Sequence, residues 1–286
     1  MNKFKTIAPL IGAMLMAAMI SCSKEKNEQQ DGVYTPEKKI HRVYVSKDDT
    51  EKFLKEEWCW EENYLQYIDH YSGENGEWGI TCREKFTYEG NRISHVELEY
   101  FHTINNNYYS NSYHSPSIYE YRNNKLNRVN FSFGYEYYCD DCGDDDSTIV
   151  VNHNRVYRFI YQNDELSKII WNPNGNENII NLLWTGKNVT QIGEGDEYSI
   201  IEYDSKKNPF YGHFGYDPIE SFYFEGQEMM VSQNNITKIY DCDGYETCTY
   251  SYLYDNDGYP IKRIKNYGYT IYYYYDINMY TYYEYE

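Results

Sequence analysis

The chain of 286 residues is long enough for one large domain or two ordinary ones, and its net charge of −19 reflects 45 acidic residues against 26 lysines and arginines. A charge of this sign argues against binding to nucleic acid or to an anionic membrane surface. The sequence contains 38 tyrosines, and 41% of its residues are hydrophobic. Because tyrosine favours strands while glycine, asparagine and aspartate favour turns, this composition predicts an all-β protein with a buried core.

The first 21 residues have the order of a secretory signal peptide. Lys3 and Lys5 precede an apolar run over residues 7–20, which small and polar residues follow. A run of about fourteen residues is shorter than the roughly 20 that a membrane-spanning helix needs, so a cleaved signal is the better interpretation. We therefore predict a signal peptide over residues 1–21.

The end of this segment also predicts a lipid anchor. Residues 19–22, Met-Ile-Ser-Cys, resemble a bacterial lipobox, in which the cysteine becomes the lipidated N-terminus, and the charged residues 23–28 resemble the export tract of surface lipoproteins of Bacteroidota. We expect Cys22 to carry the lipid and to hold the protein on a membrane. Residues 22–40 are then a flexible tether, and residues 41–286 form the folded domain. The alternative is an ordinary secreted protein with an incidental cysteine.

A short pattern recurs through the rest of the chain. An aromatic or apolar residue is followed by four turn-like residues, an aliphatic residue, two positions that are usually polar, and another apolar residue; the copies are 88–96, 121–129, 161–169, 184–192, 231–239 and a degenerate copy at 254–261. Each copy predicts a β-hairpin, because glycine, asparagine and aspartate supply the positive φ of a tight turn. We expect about fifteen strands in one antiparallel meander of repeated hairpins, curled or barrel-like, because open sheets rarely exceed about ten strands.

Two features of this pattern allow more than one interpretation. The residue two positions after the aliphatic is often basic or polar: His95, Arg128, Lys168, Gln191 and Lys238. These residues predict a ladder on the solvated face, opposite acidic neighbours, or else a ligand-binding row. Residues 51–67 fit either a short helix ahead of the sheet or the beginning of a strand.

The hairpins and a set of Tyr-Asp pairs together resemble a family of Bacteroidota lipoproteins that is described as a domain of unknown function with a porin-like β fold. The pairs stand at 203–204, 254–255 and 275–276, and the first of them opens the segment 203–210, Tyr-Asp-Ser-Lys-Lys-Asn-Pro-Phe. The chain is also distantly similar to the tyrosine-aspartate repeats of shell-forming bacterial toxins. The resemblance implies a porin-like fold and an outer-membrane location, and it transfers no functional residues because that family has no established activity.

The remaining cysteines suggest disulfides. Six follow Cys22, and an even number in an exported chain is typical of a disulfide framework. We expect bonds between cysteines that are near in sequence: Cys242–Cys248, Cys139–Cys142 and Cys59–Cys82. The pair Cys139-x-x-Cys142 also resembles a redox or zinc half-site, but the surrounding aspartates disfavour a reactive thiolate and no second pair has the spacing of a zinc site.

Catalytic motifs are missing from the sequence, which has no Gly-x-Ser-x-Gly elbow, His-Glu-x-x-His helix, phosphate loop or complete dinucleotide fingerprint. We therefore expect no enzyme activity and no cofactor. The acidic segment 140–146 offers Asp141, Asp144 and Asp146 as weak candidates for calcium, although it lacks the spacing of an EF-hand loop and also fits a solvated loop.

Aromatic residues in a polar loop provide the best candidate for binding. Tyr108, Tyr109 and Tyr113 lie in the asparagine-rich segment 105–117, where no apolar periodicity explains them as core. Rings for sugar faces and amides for hydroxyl groups are what a glycan site needs. We therefore expect a non-catalytic cell-surface lipoprotein of the outer membrane that binds a glycan or another extracellular ligand. The alternative is a structural or accessory component that contacts an outer-membrane protein.

Overall fold

The computed structural model of the protein describes residues 34, 36–74, 77–101, 112–138, 148–172, 177–215, 231–267 and 280–286, with side chains for all of these except 74, 77, 112–115, 133–138 and 148–153. Within these ranges the chain forms sixteen strands and no helix: β1 Ile40–Ser46, β2 Phe53–Glu61, β3 Tyr64–Glu74, β4 Glu77–Glu89, β5 Arg92–Tyr100, β6 Ser112–Arg122, β7 Lys125–Tyr138, β8 Thr148–Gln162, β9 Glu165–Trp171, β10 Asn178–Thr185, β11 Asn188–Glu194, β12 Glu197–Lys207, β13 Asn234–Tyr240, β14 Glu246–Tyr254, β15 Pro260–Tyr267 and β16 Tyr280–Tyr285. No described helix is long and apolar enough to cross a membrane.

The strands form a closed antiparallel barrel. Each strand pairs with its neighbours in sequence, and β1 closes the barrel by pairing with β16. The prediction of a single all-β antiparallel meander is confirmed, and of the curled and barrel-like forms that the sequence left open the closed barrel is the one observed. Of the two structures that residues 51–67 allow, the strand is the one observed, in β2 and the first part of β3.

The two ends of the barrel differ in the connections they carry. At one end, here named the turn end, neighbouring strands are joined by two-residue turns at 62–63, 90–91, 123–124, 163–164 and 186–187. Asn123 and Asn124 have φ values of 53° and 64° there, which is the positive φ that a two-residue hairpin turn requires. The other end, the loop end, carries longer connections, which include 101–111, 139–147 and 268–279.

A β-bulge recurs beside these turns and explains the spacing of the sequence repeat. Tyr88 pairs with Ile93, whereas the residue before Tyr88 pairs with His95, so the ladder skips Ser94. Because of this extra residue, Ile93 and Val96 both face the barrel interior although they are three positions apart. The same register shift precedes the aromatic residue of other hairpins: Tyr121, Tyr161, Trp184 and Tyr203.

The aromatic residues beside the turns also tie each hairpin to the previous one. Their polar tips donate hydrogen bonds to the carbonyl of the aliphatic residue that follows the turn of the preceding hairpin: Tyr88 to Leu65 (2.9 Å), Trp184 to Leu166 (2.7 Å) and Tyr203 to Val189 (2.7 Å). Such a bond satisfies a buried polar atom and contributes about 1 kcal/mol. The repeat therefore encodes both a hairpin and its attachment to its neighbour.

The barrel has an apolar interior and a charged exterior. Inward-facing side chains from all around the barrel form one buried cluster, which includes Trp58, Phe86, Val129, Tyr157 and Ile180. Outward-facing side chains form ion pairs along and between strands, for example Arg42–Glu57 at 2.7 Å and Lys85–Glu99 at 2.8 Å. Burial of apolar area inside the barrel therefore holds the sheet closed.

The basic row of the repeat lies on this outer face. Two of its members face a glutamate across the strands, Arg128 opposite Glu120 and Lys238 opposite Glu202. The other three face a threonine or an aliphatic residue: His95, Lys168 and Gln191. The predicted acidic pairing is therefore present at two positions.

The long connection between β12 and β13 departs from the pattern of short turns, because its described residues fill the barrel at the turn end. These residues, 208–215 and 231–232, are named the plug. The Phe210 ring packs between Trp58 and Tyr283, with both ring centroids at 5.9 Å. A hydrogen bond from the Asn208 amide to the Ser232 carbonyl (2.9 Å) holds the two parts of the plug together.

Residues that precede β1 also contact the barrel at the turn end. Tyr34 is buried, its ring lies 5.2 Å from that of His213, and its hydroxyl donates to the carbonyl of Pro209 in the plug. Lys38 forms an ion pair of 2.5 Å with Asp255 in the turn between β14 and β15. Tyr34 and residues 36–40, which the sequence analysis assigned to the tether, therefore pack on the folded domain.

Candidate functional site: the polar lumen at the loop end

Most of the site residues proposed from the sequence lie outside the described residues: Cys22, Tyr108, Tyr109, Cys139, Asp141, Cys142, Asp144 and Asp146. Tyr113 lies in β6, but its side chain is not among those described. The strands that flank these positions end or begin at the loop end, so the connections 101–111 and 139–147 both leave the barrel there. The described strand ends on either side of the predicted tyrosine and aspartate candidates are therefore at one end of the barrel.

The disulfide prediction is wrong for the four described cysteines, which are free thiols. Cys248 faces the barrel interior and is buried, whereas Cys242 is exposed in the connection between β13 and β14. Cys59 lies on the outer face of β2 and Cys82 on the inner face of β4. Thiols on opposite faces of a sheet cannot be bridged without moving the backbone.

The structure shows a polar cluster inside the barrel that sequence reasoning missed. Glu56, His70 and Cys82 lie side by side on the inner faces of β2, β3 and β4. The Nε2 atom of His70 is 3.5 Å from a carboxylate oxygen of Glu84, and Glu56 accepts a hydrogen bond of 3.0 Å from the Trp58 indole. The sequence contained a signal for this cluster, because residues two positions apart in a strand point to the same face. Glu56 and Glu84 each stand two positions from a buried aromatic residue, Trp58 and Phe86 respectively.

Neighbouring charges set the protonation states of this cluster. Burial disfavours the charged form of Glu56, but the charges of Lys55 and His70 and the Trp58 hydrogen bond outweigh it and lower the pKa of Glu56 to about 2. Burial likewise opposes protonation of His70, but the hydrogen bond to Glu84 and the charges of both glutamates raise the pKa of His70 above its ordinary value. The cluster therefore favours an ionised Glu56 beside a histidine that protonates readily.

The plug meets the cluster and forms the floor of the lumen. Gly215 approaches Glu84 so closely that a Cβ atom there would lie 2.7 Å from a carboxylate oxygen, and Tyr119 donates a hydrogen bond to the Gly215 carbonyl. His213 lies among the rings of Trp58 and Phe86, and burial lowers the pKa of His213 to about 4. The neutral His213 and Gly215 therefore allow the plug to pack against the acidic wall, which is the part of the barrel wall that carries Glu56 and Glu84.

Two described side chains above this floor are partly exposed although they face the barrel interior. The His70 side chain is 32% exposed although it points into the barrel, so it borders space inside the lumen. Tyr100, which lies opposite Cys82 at the end of β5, is 46% exposed. Within the described ranges, no three His, Cys, Asp or Glu side chains are grouped closely enough to hold a metal ion. The described inward-facing side chains in this part of the barrel therefore combine hydrogen-bonding groups with aromatic rings.

No protein-family model and no curated protein matches the chain. Among solved structures, the chain is similar to a porin-like protein from Bacteroides uniformis, with 12% identity and a TM-score of 0.50. The match covers 86% of this chain and 96% of the porin-like protein. At this identity the likeness shows the fold alone, and it confirms the porin-like β fold that the sequence resemblance implied.

Proposed function

We propose that the protein is a non-catalytic lipoprotein of the outer membrane that faces the exterior and binds an extracellular ligand, such as a glycan, at the loop end of the barrel. The observation that supports this proposal is that the two ends of the barrel differ in their connections and in what fills the interior. The chain enters the barrel at the turn end, where Tyr34 and the plug fill the interior. Apart from the β12–β13 connection, whose described residues form the plug, the long connections lie at the opposite end, and the polar cluster of Glu56, His70 and Cys82 lies toward that end of its strands. A lipid on Cys22 then holds the turn end at the membrane and leaves the loop end free.

The outer face of the barrel supports anchoring by a lipid rather than by the strands. Barrels that span a membrane carry an apolar outward band about 25 Å tall, and an outward lysine or arginine at mid-membrane costs about 2–4 kcal/mol. Here outward ion pairs occur on strands well apart in the barrel, such as Arg42–Glu57 and Lys238–Glu246. About a dozen residues separate Cys22 from Tyr34, enough to span up to about 40 Å between bilayer and barrel.

Replacing Cys22 by alanine is expected to abolish acylation and to release the protein from the membrane fraction, because the proposed lipid on Cys22 is its anchor. Metabolic labelling with an alkyne-tagged fatty acid and fractionation of cell envelopes measure both effects. The matched control is Cys242→Ala, which removes an exposed thiol from the barrel and should leave labelling unchanged. Equal labelling of the Cys22→Ala variant and the natural chain would contradict the anchor.

Tyr108, Tyr109 and Tyr113 are the proposed contacts for the glycan. In the sequence, Tyr108 and Tyr109 stand between β5 and β6, and Tyr113 is the second residue of β6; the adjoining ends of these two strands are at the loop end. Aromatic rings stack on the apolar faces of sugars, and nearby amides and carboxylates bond to hydroxyl groups. No apolar periodicity in the sequence explains Tyr108 and Tyr109 as core residues, so a ligand is a physical reason for their presence, whereas Tyr113 belongs to strand β6.

A glycan array with the detergent-solubilised full chain tests this proposal. The natural chain is expected to bind a defined set of glycans, and replacing the three tyrosines by alanine should weaken this binding more than tenfold with little change in melting temperature. Tyr64→Ala at the turn end is the control, because it removes a tyrosine from the opposite end of the barrel. The glycan site would be rejected if the natural chain bound no glycan on the array, or if the triple variant bound as tightly as the natural chain.

The alternative is a structural or accessory component of an outer-membrane assembly. One observation favours it: Leu183 and Ile200 are exposed on the outer face, at 55% and 38%, on either side of Gln191. A closed barrel has no free sheet edge, so a partner would have to contact this outer surface. Cross-linking in native membranes that captures an outer-membrane protein from the natural chain, but not from a Leu183→Lys variant, would support this alternative.

A further inference from the structure

A second charged cluster inside the barrel has the opposite sign to the first. Arg263 and Lys265 lie on the inner face of β15. Lys265 pairs with Tyr250 on β14, and Arg263 pairs with Thr281 on β16. Both partners are buried, and Tyr250 is a member of the hydrophobic core. Two adjacent inward positions of one strand therefore carry positive charges.

The ammonium group of Lys265 is surrounded by aromatic rings. The residue is only 4% exposed, and its Nζ atom lies 4.3 Å from the centroid of the Tyr267 ring and 5.8 Å from that of Tyr250. The described part of the chain contributes these rings but no carboxylate or other hydrogen-bond acceptor to this ammonium. Ring faces attract a cation, but they do not accept its three hydrogen bonds, and burial of an uncompensated charge is unfavourable. The environment of Lys265 is therefore complementary to an anion.

Arg263 extends this cluster toward the turn end, because β15 runs from Pro260 at that end to Tyr267 at the loop end. Its guanidinium donates a hydrogen bond of 3.0 Å to the Thr281 hydroxyl, and its Cζ atom lies 5.5 Å from the centroid of the Tyr250 ring. The residue is only half-buried, so part of it faces open space. A guanidinium beside an ammonium places a second positive charge near the position where a carboxylate would bind.

We propose that Lys265 and Arg263 bind the carboxylate of an acidic sugar, with the rings of Tyr250 and Tyr267 beside the sugar. This inference rests on the proposed glycan-binding function and names its ligand class, a saccharide that carries a uronic-acid carboxylate. The acidic wall formed by Glu56 and Glu84 repels a carboxylate, so the two walls of the lumen orient the ligand in one direction. A neutral sugar would leave the buried ammonium of Lys265 without a counter-charge.

Calorimetric titration of the detergent-solubilised full chain with methyl β-D-glucuronide and methyl β-D-glucoside tests this inference, because the two ligands differ only in the carboxylate. The glucuronide is expected to bind at least tenfold more tightly. Lys265→Met keeps a long apolar side chain but removes the charge, and should abolish this preference; Arg263→Gln should reduce it. The control is Lys262→Met on the outer face of the same strand, where Lys262 pairs with Asp49, and it should keep the preference.

Three results would overturn the inference: equal affinity of the natural chain for both sugars, absence of glucuronide binding, or a preference that survives both Lys265→Met and Arg263→Gln. If Lys265→Met fails to fold, the comparison of the two sugars on the natural chain and on Arg263→Gln decides the question. The glycan array tests the proposed function separately. Binding of neutral glycans there, with no preference for the glucuronide here, would leave the proposed function standing and reject the acidic ligand.

Discussion

Replacing Trp58 by alanine is expected to lower the free energy of unfolding by about 3–5 kcal/mol, because it removes a large buried side chain from the wall that holds the plug. Trp58 is 2% exposed. Its rings lie 4.9 Å from His213, 5.9 Å from Phe210 and 6.1 Å from Tyr34. The change also removes the indole hydrogen bond to Glu56, a carboxylate inside the barrel. The cavity and the lost hydrogen bond therefore act in the same direction.

Thermal unfolding of the full chain measures this effect, and at about 2–4 °C per kcal/mol for a chain of this size the melting temperature should fall by about 10 °C. Tyr245→Ala is the matched control, because Tyr245 is an aromatic residue at 68% exposure and its loss should change stability by no more than about 0.5 kcal/mol. A Trp58→Ala variant that melts within 2 °C of the natural chain, a threshold of roughly 1 kcal/mol, would show that the plug does not pack on this wall.

The second large effect is a loss of stability in mild acid that depends on His213. Burial lowers the pKa of His213 to about 4 in the folded protein, against 6.5 in an unfolded chain. The unfolded state therefore binds more protons as the pH falls below 6.5, and the stability that neutral His213 contributes is lost between pH 6.5 and pH 4. At pH 5 the expected loss is about 2 kcal/mol relative to neutral pH.

His213→Gln isolates this contribution, because glutamine does not titrate and the other charged groups of the lumen remain. Glu56 and His70 face the plug from β2 and β3: Glu56 loses its stabilising charge only as the pH falls from 4.5 toward about 2, and the raised pKa of His70 favours the folded state at low pH. Unfolding measured from pH 7.5 to pH 5 should show a steeper loss for the natural chain than for the variant.

The control for this experiment is His95→Gln, the same substitution on the outer face of β5, and it should keep the acid profile of the natural chain. Parallel profiles of the natural chain and the His213→Gln variant would contradict a buried neutral histidine in the plug. A profile that flattens only in the His213 variant would assign the acid sensitivity to the plug.

The hairpins of this protein could be predicted from short stretches of sequence, because their determinants are local. Tyr88, the Gly90 turn and Ile93 lie within six residues of one another and suffice to define a hairpin. Even the three-residue spacing between Ile93 and Val96, which contradicts simple alternation, is a local signal for a bulge. Strand type, neighbour pairing and the need for closure therefore followed from the sequence.

The candidate site was predicted only in part. Tyr108, Tyr109 and Tyr113 were proposed from composition and stay a prediction; the adjoining ends of β5 and β6, between which Tyr108 and Tyr109 stand in the sequence, are at the loop end. The lumen acids could not be identified in the same way, because one residue of register decides whether Glu56 faces the lumen or the solvent. The pairing of Cys59 with Cys82 failed for this reason, since their short separation in sequence says nothing of the faces on which they lie.

The sequence by itself determined the all-β class, the hairpin repeat and the number of strands to within one, because turn chemistry and alternation act over a few residues. Only the tertiary structure decided the closure of β1 on β16, the entry of the plug and of Tyr34 into the barrel, and the two charged walls of the lumen. The contact between Tyr44 and Glu284 across the closure joins residues 240 positions apart. Contacts between residues so far apart in sequence depend on the register of every strand between them and on how well the side chains pack in the interior. A local sequence pattern specifies neither the total register nor the packing.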